Sequence, residues 1–307
     1  MAGPHVAILL CTYNGEAYLR EQLDSYLAQT HGHWTLIVSD DGSTDRTLAI
    51  LESYRTTCGR PIIVREGPRN GFAQNFLSLI RDPMGGYDYY AFSDQDDIWL
   101  PDRLQRGLAA LTDIAADKPQ LYCSRTRLID GQGNDIGLSP LFQKQPDFRN
   151  ALVQSIAGAN TMLANEATRL LLAQTAVETP IVAHDWLAYL IVTGCGGTVI
   201  YDPEPTLLYR QHDGNLIGAN AGVRNRVRRV TKMVGGRFRD WNAQNIKALN
   251  GYTPRLTANA SRHLRDFAQL RNSGISVRLR LLRRTGLYRQ TLAGTLSLYL
   301  AVILNRV

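Results

Sequence analysis

Residues 6–45 read VAILLCTYNGEAYLREQLDSYLAQTHGHWTLIVSDDGSTD, and their hydrophobic rhythm changes twice. Val6 to Leu10 is an unbroken apolar run of strand length. Leu19, Leu23, Tyr26 and Leu27 then recur at helical spacing, and Leu36 to Ser39 is a second run of strand length. A strand, a helix and a strand in this order form a βαβ unit, with parallel strands and a right-handed crossover. The rhythm continues outward. Ser43 and Asp45 stand where an N-cap and a first-turn acid belong, ahead of a helix marked by Leu48, Leu51 and Tyr54. A strand at Ile62 to Val64, a helical stripe of Phe72, Phe76, Leu79 and Ile80, and a strand at Tyr89 to Ser93 follow. Pro101 then opens a helix through Leu104, Leu108 and Leu111. The expected fold class is α/β, with a Rossmann-like, mostly parallel central sheet flanked by helices.

Beyond residue 120 the elements shorten. Leu121 to Ser124 and Thr126 to Ile129 read as strands, with a turn at residues 130–134. Asn165 to Val177 and Asp185 to Val192 read as helices, while Thr198 to Tyr201 and Leu207 to Arg210 read as extended. These are expected to finish the same sheet.

Charge divides the chain near Gly218. From there to Val307 stand 18 Lys and Arg against two acids, a net +16, whereas residues 1–217 carry 16 basic and 25 acidic residues, a net −9. The expected organisation is a body at 1–217 and a basic, helical C-terminal appendage at 218–307. The four cysteines are scattered without a Cys-x-x-Cys pair, which argues against a zinc knuckle or a disulfide framework. No basic n-region precedes the first apolar run, so a cytoplasmic setting is expected.

In a parallel sheet ligands sit at the carboxyl ends of the strands, and here the residues after each expected strand are polar. They are Thr12-Tyr13-Asn14-Gly15-Glu16, then Asp40 to Asp45, then Asp94-Gln95-Asp96-Asp97. The first loop has only Gly15, so the Gly-x-Gly-x-x-Gly of a dinucleotide-dependent dehydrogenase is missing. Asp94 and Asp96 fall on one side of an extended segment. Hard oxygens of this kind suit Mg²⁺ or Mn²⁺, which fills its remaining positions with water and substrate phosphates.

CTYNG, SDDGSTD and FSDQDDIW in this order, joined by YRQHDGNLIG at Tyr209 to Gly218, resemble the inverting family 2 glycosyltransferases of GT-A fold, and most of all a rhamnosyltransferase-like branch. The resemblance spans about residues 5–218. It implies that Thr12, Tyr13, Asn14 and Glu16 wall the nucleotide base and ribose. Asp40 would accept from the base N3–H and Asp94 would hold the ribose. Asp96 and His212 would bind the metal on the donor diphosphate. Asp185 in AHDW would be the base that takes the acceptor proton, with His184 and Trp186 touching the acceptor. His184 departs from the acid that many relatives carry at its position. The implied activity is metal-dependent, inverting transfer of a sugar, dTDP-L-rhamnose being the favoured donor, to a glycan or lipid-linked acceptor in cell-surface polysaccharide synthesis. A UDP-hexose or UDP-N-acetylhexosamine donor is the nearest alternative, and a non-catalytic nucleotide-binding module a more distant one. A sugar nucleotidyltransferase would need a Gly-rich basic loop after the first strand, and CTYNGEAY is not one.

The tail joins VRLRLLRR to an uncharged run from Gln290 to Asn305, too short for the roughly 20 apolar residues of a membrane span. Together with the basic stretch Arg224 to Arg239 it fits an amphipathic segment lying on an anionic membrane, and places the protein at the inner face of the cell membrane. The competing expectation is that the leucines pack on the body or in a homo-oligomer. Nucleic acid is not an expected partner. Thirty of the 34 basic residues are Arg, the tail lacks interleaved aromatics, and no reading module is present.

Overall fold

The computed structural model describes residues 3–212 and 237–307. The end of the Tyr209–Gly218 segment beyond His212, the expected boundary at 217/218 and the basic stretch 224–236 lie outside the described residues. The first elements are β1 (Val6–Thr12), α1 (Leu19–Leu27), β2 (Trp34–Asp40), α2 (Thr47–Thr57), β3 (Ile62–Glu66), α3 (Phe72–Arg81) and β4 (Tyr89–Ser93). After them come β5 (Ile98–Trp99), α4 (Arg103–Leu111), β6 (Gln120–Ser124), β7 (Arg127–Ile129) and β8 (Asp135–Leu138). Then follow α5 (Phe148–Ala151), β9 (Leu163–Asn165), α6 (Glu166–Ala173), α7 (His184–Gly194), β10 (Thr198–Asp202) and β11 (Leu207–Arg210). The last described helices are α8 (Arg237–Asn250), α9 (Ala258–Arg271), α10 (Ile275–Thr285) and α11 (Leu292–Ile303).

Seven strands form one sheet in the order β10-β6-β9-β4-β1-β2-β3. Its β4-β1-β2-β3 half is parallel throughout, and β9 runs antiparallel to both β4 and β6. Every residue of β1 and β2 is buried, as central parallel strands covered on both faces require. Ile8, Leu10, Leu36 and Val38 share a core with Leu19, Leu23, Tyr26 and Leu51, each such side chain contributing about 1.5–3 kcal/mol of burial free energy. Because register pairs Thr12 with Asp40 and Leu10 with Ser93, the loops after β1, β2 and β4 leave the sheet along one edge. Strand order reverses at β1, which makes the crevice between β1 and β4 the place where such sheets take ligands.

The second half departs from expectation. β6, β9 and β10 do extend the main sheet, but β7 and β11 do not; with β5 and β8 they make a separate four-stranded sheet, β5-β11-β7-β8. Only Arg125 and Thr126 separate β6 from β7, so the chain changes sheet within two residues. Two helix starts also move. Asn165 is the cap of α6, accepting from the Thr168 amide, and the helix ends at Ala173, leaving Val177 exposed. α2 begins at Thr47 rather than after Ser43, because the Ser43 hydroxyl is bonded to Asp40 and Asn14.

The chain forms two compact units. Among the described residues one comprises 3–141, 157–174 and 200–212, and the other 142–156, 175–199 and 237–307. The basic C-terminal segment is helical, and within its unit it is interwoven with residues 142–156 rather than appended. The Gln290 side chain accepts from the Lys144 amide at 3.1 Å, the Gln290 backbone N–H donates to the Gln154 side chain at 2.8 Å, and the Tyr288 carbonyl accepts from Asn150. Leu281, Leu282, Leu287, Leu298 and Val302 are buried there. Among the described residues no helix is long and apolar enough to cross a membrane.

Candidate active site

The three polar loops at the edge of the main sheet are stitched to one another. Asp40 is buried; its carboxylate accepts from the Thr12 hydroxyl at 2.7 Å, the Ser43 hydroxyl at 2.6 Å and the amides of Gly42 and Ser43. Four donors fill the usual capacity of a carboxylate, so a base N3–H would have to share an oxygen with them. Asn14 sits at φ 47°, accepts from the Thr44 amide through its side chain and gives its own amide to Ser43. Glu16 exchanges backbone and side-chain bonds with Asp45 and Arg46. Thr12, Asn14 and Glu16 thus hold the first two loops together, while the Tyr13 ring is 59% exposed and offers a face for stacking.

Gln95 joins the third loop to the first. Its amide accepts from Tyr13 N–H at 2.9 Å and donates to Tyr13 C=O at 3.0 Å. A Cβ on Gly15 would stand 2.4 Å from the Gln95 oxygen, so a side chain at residue 15 would displace this amide. Asp94 is half-buried beside this clamp.

His212 arrives from β11. Because β11 pairs antiparallel with β5, which directly follows the acidic loop, the His212 Nε2 lies 2.8 Å from Asp96 Oδ2 across 116 residues of chain. The Tyr18 ring stands 5.1 Å from the imidazole. Two donors held this close match adjacent corners of an octahedron with bonds of about 2.0–2.1 Å. The described residues contain no cluster of three or more His, Cys, Asp or Glu able to cage a metal. A cation on Asp96 and His212 would therefore be completed by water and phosphate oxygens, as Mg²⁺ and Mn²⁺ sites on nucleotide substrates are.

Two residues outside the sequence-derived set build this pair. Arg210 is buried, stacks 4.5 Å from the Tyr18 ring centroid, and donates to the Asp96 carbonyl at 3.0 Å and to Glu21 at 2.6 Å. Asp97, fully buried, accepts from Asn160 at 2.6 Å and from the Arg210 amide at 3.1 Å; burial, reinforced by Asp96 and Asp94, raises its pKa well above the ordinary carboxylate range. Their signal lies in the same words, SDQDD and YRQH, where Asp97 follows Asp96 directly and Arg210 stands two residues before His212.

Asp185, His184 and Trp186 belong to the other unit, in the first turn of α7. The helix is capped by Ala183, so Asp185 is not its N-cap. The half-buried Asp185 carboxylate accepts from the Trp186 amide at 2.6 Å, and burial pushes its pKa up to about 6. A carboxylate tuned toward neutrality suits a general base. His184 and Trp186, expected to touch an acceptor, are both buried. His184 is buried and burial drives its pKa down to about 3, which keeps the imidazole neutral. Trp186 is buried too, donating its indole N–H to the Ala151 carbonyl at 2.7 Å and meeting Trp241 edge to face.

The sequence profile of glycosyl transferase family 2 matches residues 7–168. The dTDP-rhamnosyl transferase RfbG of Shigella flexneri is 30% identical over 230 residues, covering 72% of this chain and 78% of the relative. The putative teichuronic acid biosynthesis glycosyltransferase TuaG of Bacillus subtilis (strain 168) is 34% identical over 105 residues, or 34% of this chain and 41% of the relative. Among solved structures, S. aureus TarS 1-349 in complex with UDP-GlcNAc superposes with a TM-score of 0.57 at 15% identity, covering 89% of this chain and 82% of that one. The mannosyltransferase PcManGT from Pyrobaculum calidifontis, in complex with GDP-Man and Mn2+, gives 0.54 at 15% identity over 98% and 87%. These two establish the fold, GT-A.

Proposed function

The chain belongs to glycosyl transferase family 2 and is a glycosyltransferase, and from that premise we propose that it moves L-rhamnose from dTDP-L-rhamnose onto a hydroxyl of a glycan or lipid-linked acceptor, with inversion, at the inner face of the cell membrane. The observation that carries the donor site is the 2.8 Å approach of Asp96 and His212 at the carboxyl end of β4, beside Asp94 and the stitched loops of β1 and β2. Similarity to a dTDP-rhamnosyl transferase over 72% of the chain supports the choice of sugar.

In this reading the Tyr13 ring stacks on the base, Asp94 takes the ribose hydroxyls, and Asp40 fixes the loop that receives the base while sharing an oxygen with its N3–H. Asp96 and His212 would hold Mg²⁺ or Mn²⁺ on the diphosphate, where the ion supplies charge neutralisation of the leaving group. Asp185 removes the acceptor proton as the acceptor oxygen bonds to C1. The bond from C1 to the diphosphate oxygen breaks on the opposite face, and its electron pair leaves with the nucleoside diphosphate. Unlike a glycosidase, the reaction has no need of a second carboxylic acid.

Release of nucleoside diphosphate, measured with Mn²⁺ across dTDP-rhamnose, UDP-hexoses and UDP-N-acetylhexosamines, tests the assignment. Turnover with dTDP-rhamnose well above the others is the expected result; preference for a UDP-sugar would replace the donor. Asp96→Ala should abolish EDTA-sensitive transfer and leave the thermal melt unchanged, and full activity in that variant would remove Asp96 from the metal site.

A further inference from the structure

The last two helices leave faces uncovered that a solvated surface does not account for. On α11, Leu298, Ala301 and Val302 are buried, but Leu292, Leu296, Leu300 and Ile303 are 75%, 59%, 48% and 47% exposed. Their spacing of four, four and three residues makes one continuous apolar stripe along the helix. On α10 the buried side is Leu281, Leu282 and Thr285; the opposite side lines a concavity of about 590 Å³ with Ser276, Leu279, Arg280, Arg283 and Arg284. α10 contains no acidic residue, and among the described residues the Asp266 carboxylate is ion-paired with Arg284. The two helices are tied, for Arg278 donates to the Val302 carbonyl at 2.8 Å and to that of Ile303.

We propose that the exposed faces of α10 and α11 are a docking surface for an anionic lipid bilayer, with Arg280 and Arg283 on lipid phosphates and Leu292, Leu296, Leu300 and Ile303 below the headgroups. The inference deepens the membrane placement given above and rests on it. Charge decides the occupant. A second copy seated face to face would cover the leucines but would bring two unneutralised arginine faces together, which costs free energy. An anionic bilayer is complementary to each face, since phosphates complement the guanidiniums and acyl chains take up the stripe. An exposed contiguous apolar patch beside charge of one sign is the ordinary mark of such a contact.

Sedimentation of the full chain with vesicles of equal parts phosphatidylglycerol and phosphatidylcholine, against phosphatidylcholine alone, tests this without any donor. A failure of the rhamnosyl assignment therefore leaves the result untouched. Binding to the anionic vesicles, weakened by salt, is expected. Arg280→Glu with Arg283→Glu should cut it by roughly tenfold or more, and Leu292→Ser with Leu296→Ser and Leu300→Ser should do the same. All five side chains are exposed, so the melt should hold; if the triple variant fails to fold, Leu296→Gln alone gives the same reading. The proposal is overturned if the charge reversals leave vesicle binding unchanged. It is overturned equally if the chain binds inorganic phosphate but no vesicle, or if the leucine variants disperse a dimer that never sedimented with lipid.

Discussion

Asp185 carries an electrostatic cost that the proposed role of base would explain. Burial raises its pKa to about 6 from an ordinary value of 3.8, so the folded chain holds this proton more tightly than the unfolded one. Stability is therefore lost as pH rises between those two values, and above about pH 6 the ionised carboxylate is a standing penalty. Asp185→Asn should melt higher than the parent near neutral pH and lose that advantage near pH 4, as calorimetry at the two conditions would show. An equal difference at both would mean that the carboxyl is not perturbed. If Asp185 is the proposed base, the same substitution should lower turnover by roughly 10² to 10⁴ with donor affinity kept, and the parent's rate should fall as pH drops through about 6, where its carboxylate is protonated. Gln95 makes a second prediction at this scale. Its amide is the clamp between the first and third loops, so Gln95→Ala should raise the donor KM several-fold with little change in melting temperature. Gly15→Ala, whose methyl would displace the Gln95 side chain, should reproduce it. Donor titrations showing Gly15→Ala at parental KM would separate the two effects and reject the clamp.

At the scale of elements, the short pairing of β5 with β11 matters most, because it lays the strand that leads to His212 beside the one that follows Asp96. Two ladder residues are a weak bond by themselves, and Arg210 reinforces them. Its guanidinium spans the Asp96 carbonyl, Glu21, the Gly131 carbonyl and the Tyr18 ring. Lysine keeps the charge but has one compact ammonium in place of a planar fork. Arg210→Lys should lower stability by about 1–3 kcal/mol from unmade buried hydrogen bonds. It should also raise the Mn²⁺ concentration needed for half-maximal rate by more than it lowers the rate at saturating metal. A variant with unchanged metal dependence and only a lower melting temperature would make Arg210 structural alone.

For the whole molecule, the C-terminal segment does two things at once. Its inner side chains Leu281, Leu282, Leu287, Leu298 and Val302 complete a core, while its outer faces remain open. Large-to-small changes at such positions cost about 2–5 kcal/mol each against a total of about 5–15. Truncation after Ser276 should therefore cost the chain its cooperative melt or aggregate it, whereas the exposed substitutions on α10 and α11 should not. A truncated chain that melts like the parent would place those leucines outside any core. The sequence alone determined the alternation of strands and helices through residue 111, and with it the loops carrying Thr12, Asp40 and Asp94. Periodicity is local, and in a parallel sheet every strand ends on the same edge. It could not determine that β7 and β11 leave that sheet, that Arg210 and Asp97 brace the acidic loop, or that His184 and Trp186 turn inward while Asp185 keeps partial access. Those outcomes depend on which distant segments pack together. A two-residue ladder, a buried guanidinium and the inner side of a helix that is apolar nearly all round have no local period to announce them, so only the tertiary structure decided them.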